Sequence, residues 1–141
     1  MLRGEQLDAA GFEELAKAGV PYVGLLACRV ERFEPGDVQV RLPYQDLLVR
    51  PGGTICGPAI MALADIALYG LVLSKIGKVD LAVTTDLSVH FLKRPVPGDL
   101  IARTHLLKLG RRLAIGEVEI APEGENEPVA HVVGTYSIPS P

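Results

Sequence analysis

Between Pro51 and Ser74 this chain carries one charged residue, Asp65. The apolar part of that stretch, residues 55–73, reads ICGPAIMALADIALYGLVL. Few structures accept such a segment. A membrane-spanning helix is one, but an aspartate at its centre costs roughly 2.5–3.5 kcal/mol in a bilayer. Gly57, Pro58 and Gly70 also interrupt the run. The other is a helix buried inside a folded domain, and this is the reading we adopt. Pro58 suits a first helical turn, where its missing N–H loses nothing. Gly77 supplies the stop. Ile60, Leu63, Ala64, Ala67, Leu68, Leu71 and Val72 form one stripe, while Met61, Ile66 and Leu73 lie off it and are apolar too. A helix that is apolar nearly all round is enclosed on all sides.

Strand patterns flank this helix. Residues 5–18, with Leu7, Phe12, Leu15 and Ala16 at helical spacing, predict a short amphipathic helix ending at Gly19. Residues 23–33 predict a strand, Pro35-Gly36-Asp37 a turn, and the alternating VQVRL of 38–42 a second strand of the same hairpin. Residues 43–57, with Arg50-Pro51-Gly52-Gly53, read as a loop. After the helix, residues 81–92 predict a long strand with two unlike faces. Leu81, Val83, Thr85, Leu87, Val89 and Phe91 share one; Ala82, Thr84, Asp86, Ser88, His90 and Leu92 share the other. Residues 100–109, 112–120 and 129–138 predict three more strands, separated by Gly110-Arg111 and by the polar loop 121–128. Strands gathered around one helix mean an α+β domain, here spanning residues 1–141. Its architecture is a long central helix wrapped by an antiparallel sheet of about six strands, plus a short N-terminal helix. One sheet covers one side of the helix, so loops or a second subunit must cover the rest. A two-fold dimer is the simplest solution.

Composition narrows the function classes. Of 141 residues, 48% are hydrophobic and 22% charged, which excludes disorder. A chain of this size buries a core without a disulfide or metal staple. A net charge of −3 gives no electrostatic case for nucleic acid or an anionic membrane surface. The N-terminal residues lack the apolar centre of a secretory signal. Cys28 and Cys56 form no CxxC pair, which points to a reducing, cytoplasmic compartment. His90, His105 and His131 stand singly on strands, without metal-ligand spacing, so no metal is expected. P-loop, GxGxxG and GxSxG patterns are absent.

Asp65 is the principal candidate for chemistry. A carboxylate on an apolar helix pays desolvation unless it is partnered or faces a cleft, and such carboxylates serve as bases, acids or nucleophiles. Its structural alternative is a solvent-facing sliver of the helix or a cap on a neighbouring loop. Gly57, at the helix start, offers a free backbone N–H to an anion or developing oxyanion; its alternative is turn geometry. Eight residues separate the two, about 12 Å along a helix. That is too far for both to act on one carbonyl within one chain, whereas a dimer can bring Gly57 of one subunit to Asp65 of the other. Cys56 shares the helix N-terminus, but no histidine is tied to it by spacing, and a packed thiol is the plainer reading. The pairs Lys93-Arg94 and Arg111-Arg112 can hold phosphates or simply be solvated turn residues.

The stretch Gly53-Thr-Ile-Cys-Gly-Pro-Ala-Ile-Met-Ala-Leu-Ala-Asp65 resembles the helix start of hot-dog-fold acyl-CoA thioesterases, and most closely the phenylacetate-degradation (PaaI-like) branch of the 4-hydroxybenzoyl-CoA thioesterase superfamily. Residues 83–95, VTTDLSVHFLKRP, resemble that family's strand after the helix. Pro97-Gly98-Asp99-Leu100 and Leu109-Gly110-Arg111-Arg112 match its turns, and residues 129–136, VAHVVGTY, its last strand. The resemblance covers residues 22–138 in order. It implies dimers that pair into homotetramers, with two active sites at each dimer interface. It implies Asp65 as general base or nucleophile toward a thioester, Gly57 N–H of the facing subunit as oxyanion donor, and Tyr69 as a hydrogen-bonding residue one turn on. Cys56, Met61 and Ser88 fall at substrate positions, Met61, Leu68 and Tyr69 at positions shaping an acyl pocket, and Lys93, Arg94, Arg111 and Arg112 at positions for the CoA phosphates. No cofactor is implied beyond the CoA of the substrate. Cys56 stands where the family has histidine, Pro58 where it has a second glycine, and Arg50 near a position that is commonly polar. These departures keep open a second reading, a non-catalytic acyl-CoA or small-ligand binding protein. A hot-dog dehydratase or hydratase would carry an Asp/His pair near the helix start, and no histidine precedes His90.

Overall fold

The chain begins with two helices. Asp8 caps the first, α1 (Ala9–Gly19), by accepting from the N–H of Gly11 at 2.7 Å. The second, α2 (Pro21–Leu26), starts on a proline and stops at Ala27, which adopts a left-handed conformation at φ 59°. This corrects the strand expected over residues 23–33. Only β1 (Arg29–Glu34) is extended. Val23 and Leu26, three residues apart, are both buried, as one face of a helical turn requires. A short apolar run of this kind fits either period, and Pro21 selects the helix. Within the computed structural model, residues 2–141 are described.

A tight turn at Gly36, φ +76°, joins β1 to β2 (Asp37–Leu42). Val38, Val40 and Leu42 on alternate positions of β2 are buried. The loop that follows carries a 3-10 turn at Asp46–Leu48 and leads into α3 (Gly57–Ile76). Then come β3 (Val83–Phe91), β4 (Leu100–Leu109), β5 (Leu113–Pro122) and β6 (Ala130–Ser137). The six strands form one sheet in the order β1-β2-β4-β5-β6-β3, with every neighbouring pair antiparallel. β3 thus lies at an edge and pairs with the last strand rather than with β4. This is the hot-dog arrangement, with α3 as its central helix.

α3 packs against one face of the sheet. Gly134 on β6 lets it approach, since a Cβ there would stand 2.5 Å from Leu68 Cδ1. Gly70 of α3 accepts both the ring of Phe12, which a Cβ would meet at 2.8 Å, and Val38 of β2, at 3.2 Å. The expectation that loops or a partner alone cover the helix therefore needs correcting: α1 contributes through Phe12, whose ring lies against Gly70 and Tyr69. What stays open on α3 is a stripe of Pro58, Met61, Ala62, Asp65 and Tyr69, at intervals of three and four residues.

The alternation expected along residues 81–92 is broken by a bulge. Thr84 pairs with Tyr136 and Asp86 with Thr135, so Thr85 is the extra residue. Beyond the bulge Leu87 and Val89 face inward, as expected. Before it the order flips: Ala82 and Thr84 turn inward, while Leu81 and Val83 are exposed. A two-residue period cannot reveal a one-residue insertion.

Candidate active site

The carboxylate of Asp65 lies midway along α3 and is held from the sheet. Thr84 donates to its Oδ1 at 2.6 Å, and Tyr136 donates to the same oxygen at 2.7 Å. The Tyr136 hydroxyl also lies 3.0 Å from the backbone carbonyl oxygen of Asp65. Thr84 and Tyr136 are directly opposed on β3 and β6, so sheet register and the bulge at Thr85 place both donors. Tyr136 is only 4% exposed. That burial, reinforced by the charge of Asp65, pushes its hydroxyl well above the ordinary phenol range, so it keeps its proton.

Beside Asp65 is a cavity of about 260 Å³. Ala16, Val20 and Tyr22 from the two N-terminal helices wall one side, and Ile66 and Tyr69 of α3 another. Tyr69 stacks on Tyr136 with ring centroids 6.0 Å apart. Its hydroxyl donates to the backbone oxygen of Asp80 at 3.0 Å rather than to Asp65, and its pKa is raised, chiefly by burial. Asp65 and Tyr69 thus line one cavity. Met61 is 42% exposed and outside the lining of that cavity, and Leu68 packs under the sheet, so neither shapes it within this chain.

Gly57 lies elsewhere. As the first residue of α3, its N–H has no partner within the helix. Cys56 before it is extended (φ −72°, ψ 155°), makes no side-chain cap bond and donates its own N–H to Leu48 at 2.8 Å. Gly57 opens onto a second depression lined by Arg50, Phe91, Lys93 and Arg94. With about 12 Å of helix between them, Gly57 and Asp65 face different cavities.

The basic pairs separate as well. Lys93 and Arg94 flank Gly57, and Lys93 also pairs with Glu127 at 3.1 Å. Arg111 and Arg112 sit by the other end of α3. Arg3, whose side chain donates to the Arg111 carbonyl, bonds through its own N–H to Ile76. About 28 Å of helix separates the two sets. Ser88 is exposed on β3 opposite Val133 and faces neither cavity. His90 and His131 are register partners, and His131 contacts Glu117 at 3.0 Å. Among the described residues no group of three His, Cys, Asp or Glu side chains is arranged to hold a metal ion.

Thr84 and Tyr136 were not singled out from the sequence. A signal existed for Tyr136: it shares its strand face with Val132, and a buried tyrosine hydroxyl needs an acceptor. No such signal existed for Thr84, whose inward turn depends on the bulge.

The sequence profile of the thioesterase superfamily matches residues 52–129, from the loop before α3 to the residue before β6. A candidate esterase of Halobacterium salinarum is 31% identical over 123 residues, covering 82% of this chain and 81% of its own length. Another, from Thermoplasma acidophilum, is 29% identical over 109 residues, 77% of this chain and 81% of its own. Among solved structures, a candidate thioesterase from Silicibacter sp. TM1040 superposes with a TM-score of 0.86 at 37% identity, covering 99% of this chain and 100% of that one. A single-substitution variant of the phenylacetic acid degradation protein PaaI from Thermus thermophilus gives 0.74 at 26% identity, covering 84% and 99%.

Proposed function

This chain belongs to the thioesterase superfamily, and from that premise we propose that it hydrolyses acyl-CoA thioesters to a free acid and CoA. The observation that carries the reading is Asp65: a carboxylate on an otherwise apolar helix, fixed by two donors at the rim of an apolar cavity. The candidate esterases and the thioesterase-like structure support hydrolysis of an ester or thioester in general. The acyl group enters the 260 Å³ cavity. Asp65 activates a water or attacks the thioester carbonyl itself. The carbonyl oxygen, as it gains charge, takes a hydrogen bond from the N–H of Gly57. The C–S bond breaks, the water oxygen ends in the acid, and the sulfur leaves with a proton as CoA.

The Gly57 in question belongs to a second copy, because about 12 Å of helix separates the two groups in one chain. Support for pairing comes from the open stripe of α3 and the adjacent edge strand. Met61, Val83 and Phe91 expose apolar surface there, and β3 leaves one edge unpaired. Dimers that pair again into tetramers follow the same reading. Lys93 and Arg94 hold CoA phosphates beside Gly57, and Arg111 and Arg112 join them only from another chain.

Cys56 favours a second reading. It gives the helix start no side-chain hydrogen bond, and a thiol is a weak substitute for imidazole; the chain would then bind acyl-CoA without turnover. Thiol release from short- to long-chain acyl-CoAs and from phenylacetyl- and benzoyl-CoA separates the two. Turnover on any of them is the expected result. Saturable binding with no thiol released would establish the binding protein instead.

A further inference from the structure

The two hydrogen bonds to Asp65 fall on one oxygen. Oδ1 accepts from Thr84 at 2.6 Å and from Tyr136 at 2.7 Å, and among the described residues no side chain donates to Oδ2. We infer that Thr84 and Tyr136 are positioning residues that lock Oδ1 of Asp65 and leave Oδ2 as the working oxygen. The inference rests on the reading of Asp65 as base or nucleophile and adds which atom acts and what aims it.

Three features of the fold support it. First, a carboxylate free to rotate about χ2 presents either oxygen, and its torsion is broad. Two donors converging on one oxygen remove that freedom. Second, the donors are built into the sheet rather than hung on a loop. Thr84 and Tyr136 are a cross-strand pair, Tyr136 is almost fully buried, and its ring is stacked on Tyr69. Its hydroxyl also reaches the backbone oxygen of Asp65, which ties the strand to the helix turn carrying the carboxylate. Third, the bulge at Thr85 has a consequence. Without it, strict alternation from Leu87 and Val89 would turn Thr85 inward and Thr84 outward. The extra residue exchanges them, and bulges commonly re-aim a side chain beside a site. The oxygen that faces the substrate is therefore selected by strand register.

Positioning predicts a rate effect with little binding effect, because a misaimed oxygen disturbs the transition state more than the bound substrate. Tyr136→Phe keeps the ring and its stacking but removes the hydroxyl. Thr84→Val keeps the shape, and Thr84→Ser keeps the donor. Using the acyl-CoA that wild type turns over best, we expect each of the first two to lower kcat about 10- to 100-fold, with KM within about twofold. Thr84→Ser should recover most of the rate. In an Asp65→Asn background neither substitution should lower the residual rate further, since the group they aim is gone. Circular dichroism and melting temperature separate folding failure from misaiming. If Asp65→Asn is itself fully active, the reading of Asp65 fails, and this inference with it. If Asp65→Asn is inactive but Tyr136→Phe and Thr84→Val keep wild-type kcat, the inference alone is overturned. A loss confined to KM, or one that Thr84→Ser does not recover, overturns it as well.

Discussion

At the first turn of α3, Gly57 offers a backbone N–H with no partner in the helix, with Lys93 and Arg94 nearby and, among the described residues, no carboxylate lining the depression. Two turns further on, Asp65 offers an acceptor held by Thr84 and Tyr136 above an apolar cavity, with no cation lining it among the described residues. Each region has what the other lacks. One suits the oxygen of a polarised carbonyl and an anionic tail, and the other suits a proton acceptor and an acyl group. One rigid helix keeps them about 12 Å apart. On the proposed reading the two regions are unlike halves of one site, and the chemistry then belongs to a pair of chains.

The largest effect should come from removing the acceptor. Asp65→Asn preserves an oxygen for Thr84 and Tyr136 to bond, so the fold should survive. Thioester turnover should fall by at least about 10²-fold. Steady-state thiol release measures it, and near-wild-type kcat would remove the middle of α3 from the chemistry. Next comes the donor. Gly57→Pro deletes one N–H at a helical position that accepts proline, and the extended Cys56 before it already has the backbone a following proline requires. A Cβ there meets Phe91 at 3.5 Å, an ordinary contact. We expect kcat to fall about 10²- to 10³-fold, the scale of one oxyanion donor, and the melting temperature checks that the new Cβ, which adjoins Pro58, leaves the fold intact. An unaltered kcat would leave the first turn as a structural helix start.

A third test concerns stability away from both regions. Cys28 belongs to neither half-site; it is a free, buried thiol where α2 gives way to β1. Burial pushes it up to about 12, while an unfolded thiol titrates near about 8.5. Its contribution to stability is full below the lower value. It is lost as pH rises toward the higher one, by at most about 1.4 kcal/mol per pH unit. Thermal melts across that alkaline range should fall less steeply for Cys28→Ala than for wild type; parallel slopes would contradict this. The smallest effect concerns the exposed cations. Arg94→Gln should raise KM for an acyl-CoA about two- to fivefold and leave kcat alone, with the difference shrinking at high salt. A kcat effect instead would move Arg94 from anchoring to chemistry.

Much of this was legible in the sequence, for identifiable reasons. Asp65 stood out because nothing else between Pro51 and Ser74 is charged. Gly36 and Gly77 marked real boundaries because each takes a positive φ. What escaped notice depends on contacts distant in sequence. α2 reads as strand because its apolar run is too short for a period to decide it. Thr84 could not be chosen over Thr85, since a bulge is a property of pairing with β6 and not of β3 alone. The scattering of the four arginines and lysines to opposite ends of α3 follows from the strand order, which sends β3 to one edge and leaves the β4–β5 turn near the helix C-terminus.

The half-site reading is tested most directly by mixing two inactive proteins. Asp65→Asn retains Gly57, and Gly57→Pro retains Asp65. Unfolded together in equal amounts and refolded, they should form mixed dimers in which one of two sites is intact. Random pairing then gives about a quarter of wild-type thiol release. Recovery near that level is the expected result. Mixtures no more active than the separate variants, with mixed dimers demonstrated by differently tagged chains, would contradict a site shared between Asp65 of one chain and Gly57 of the other.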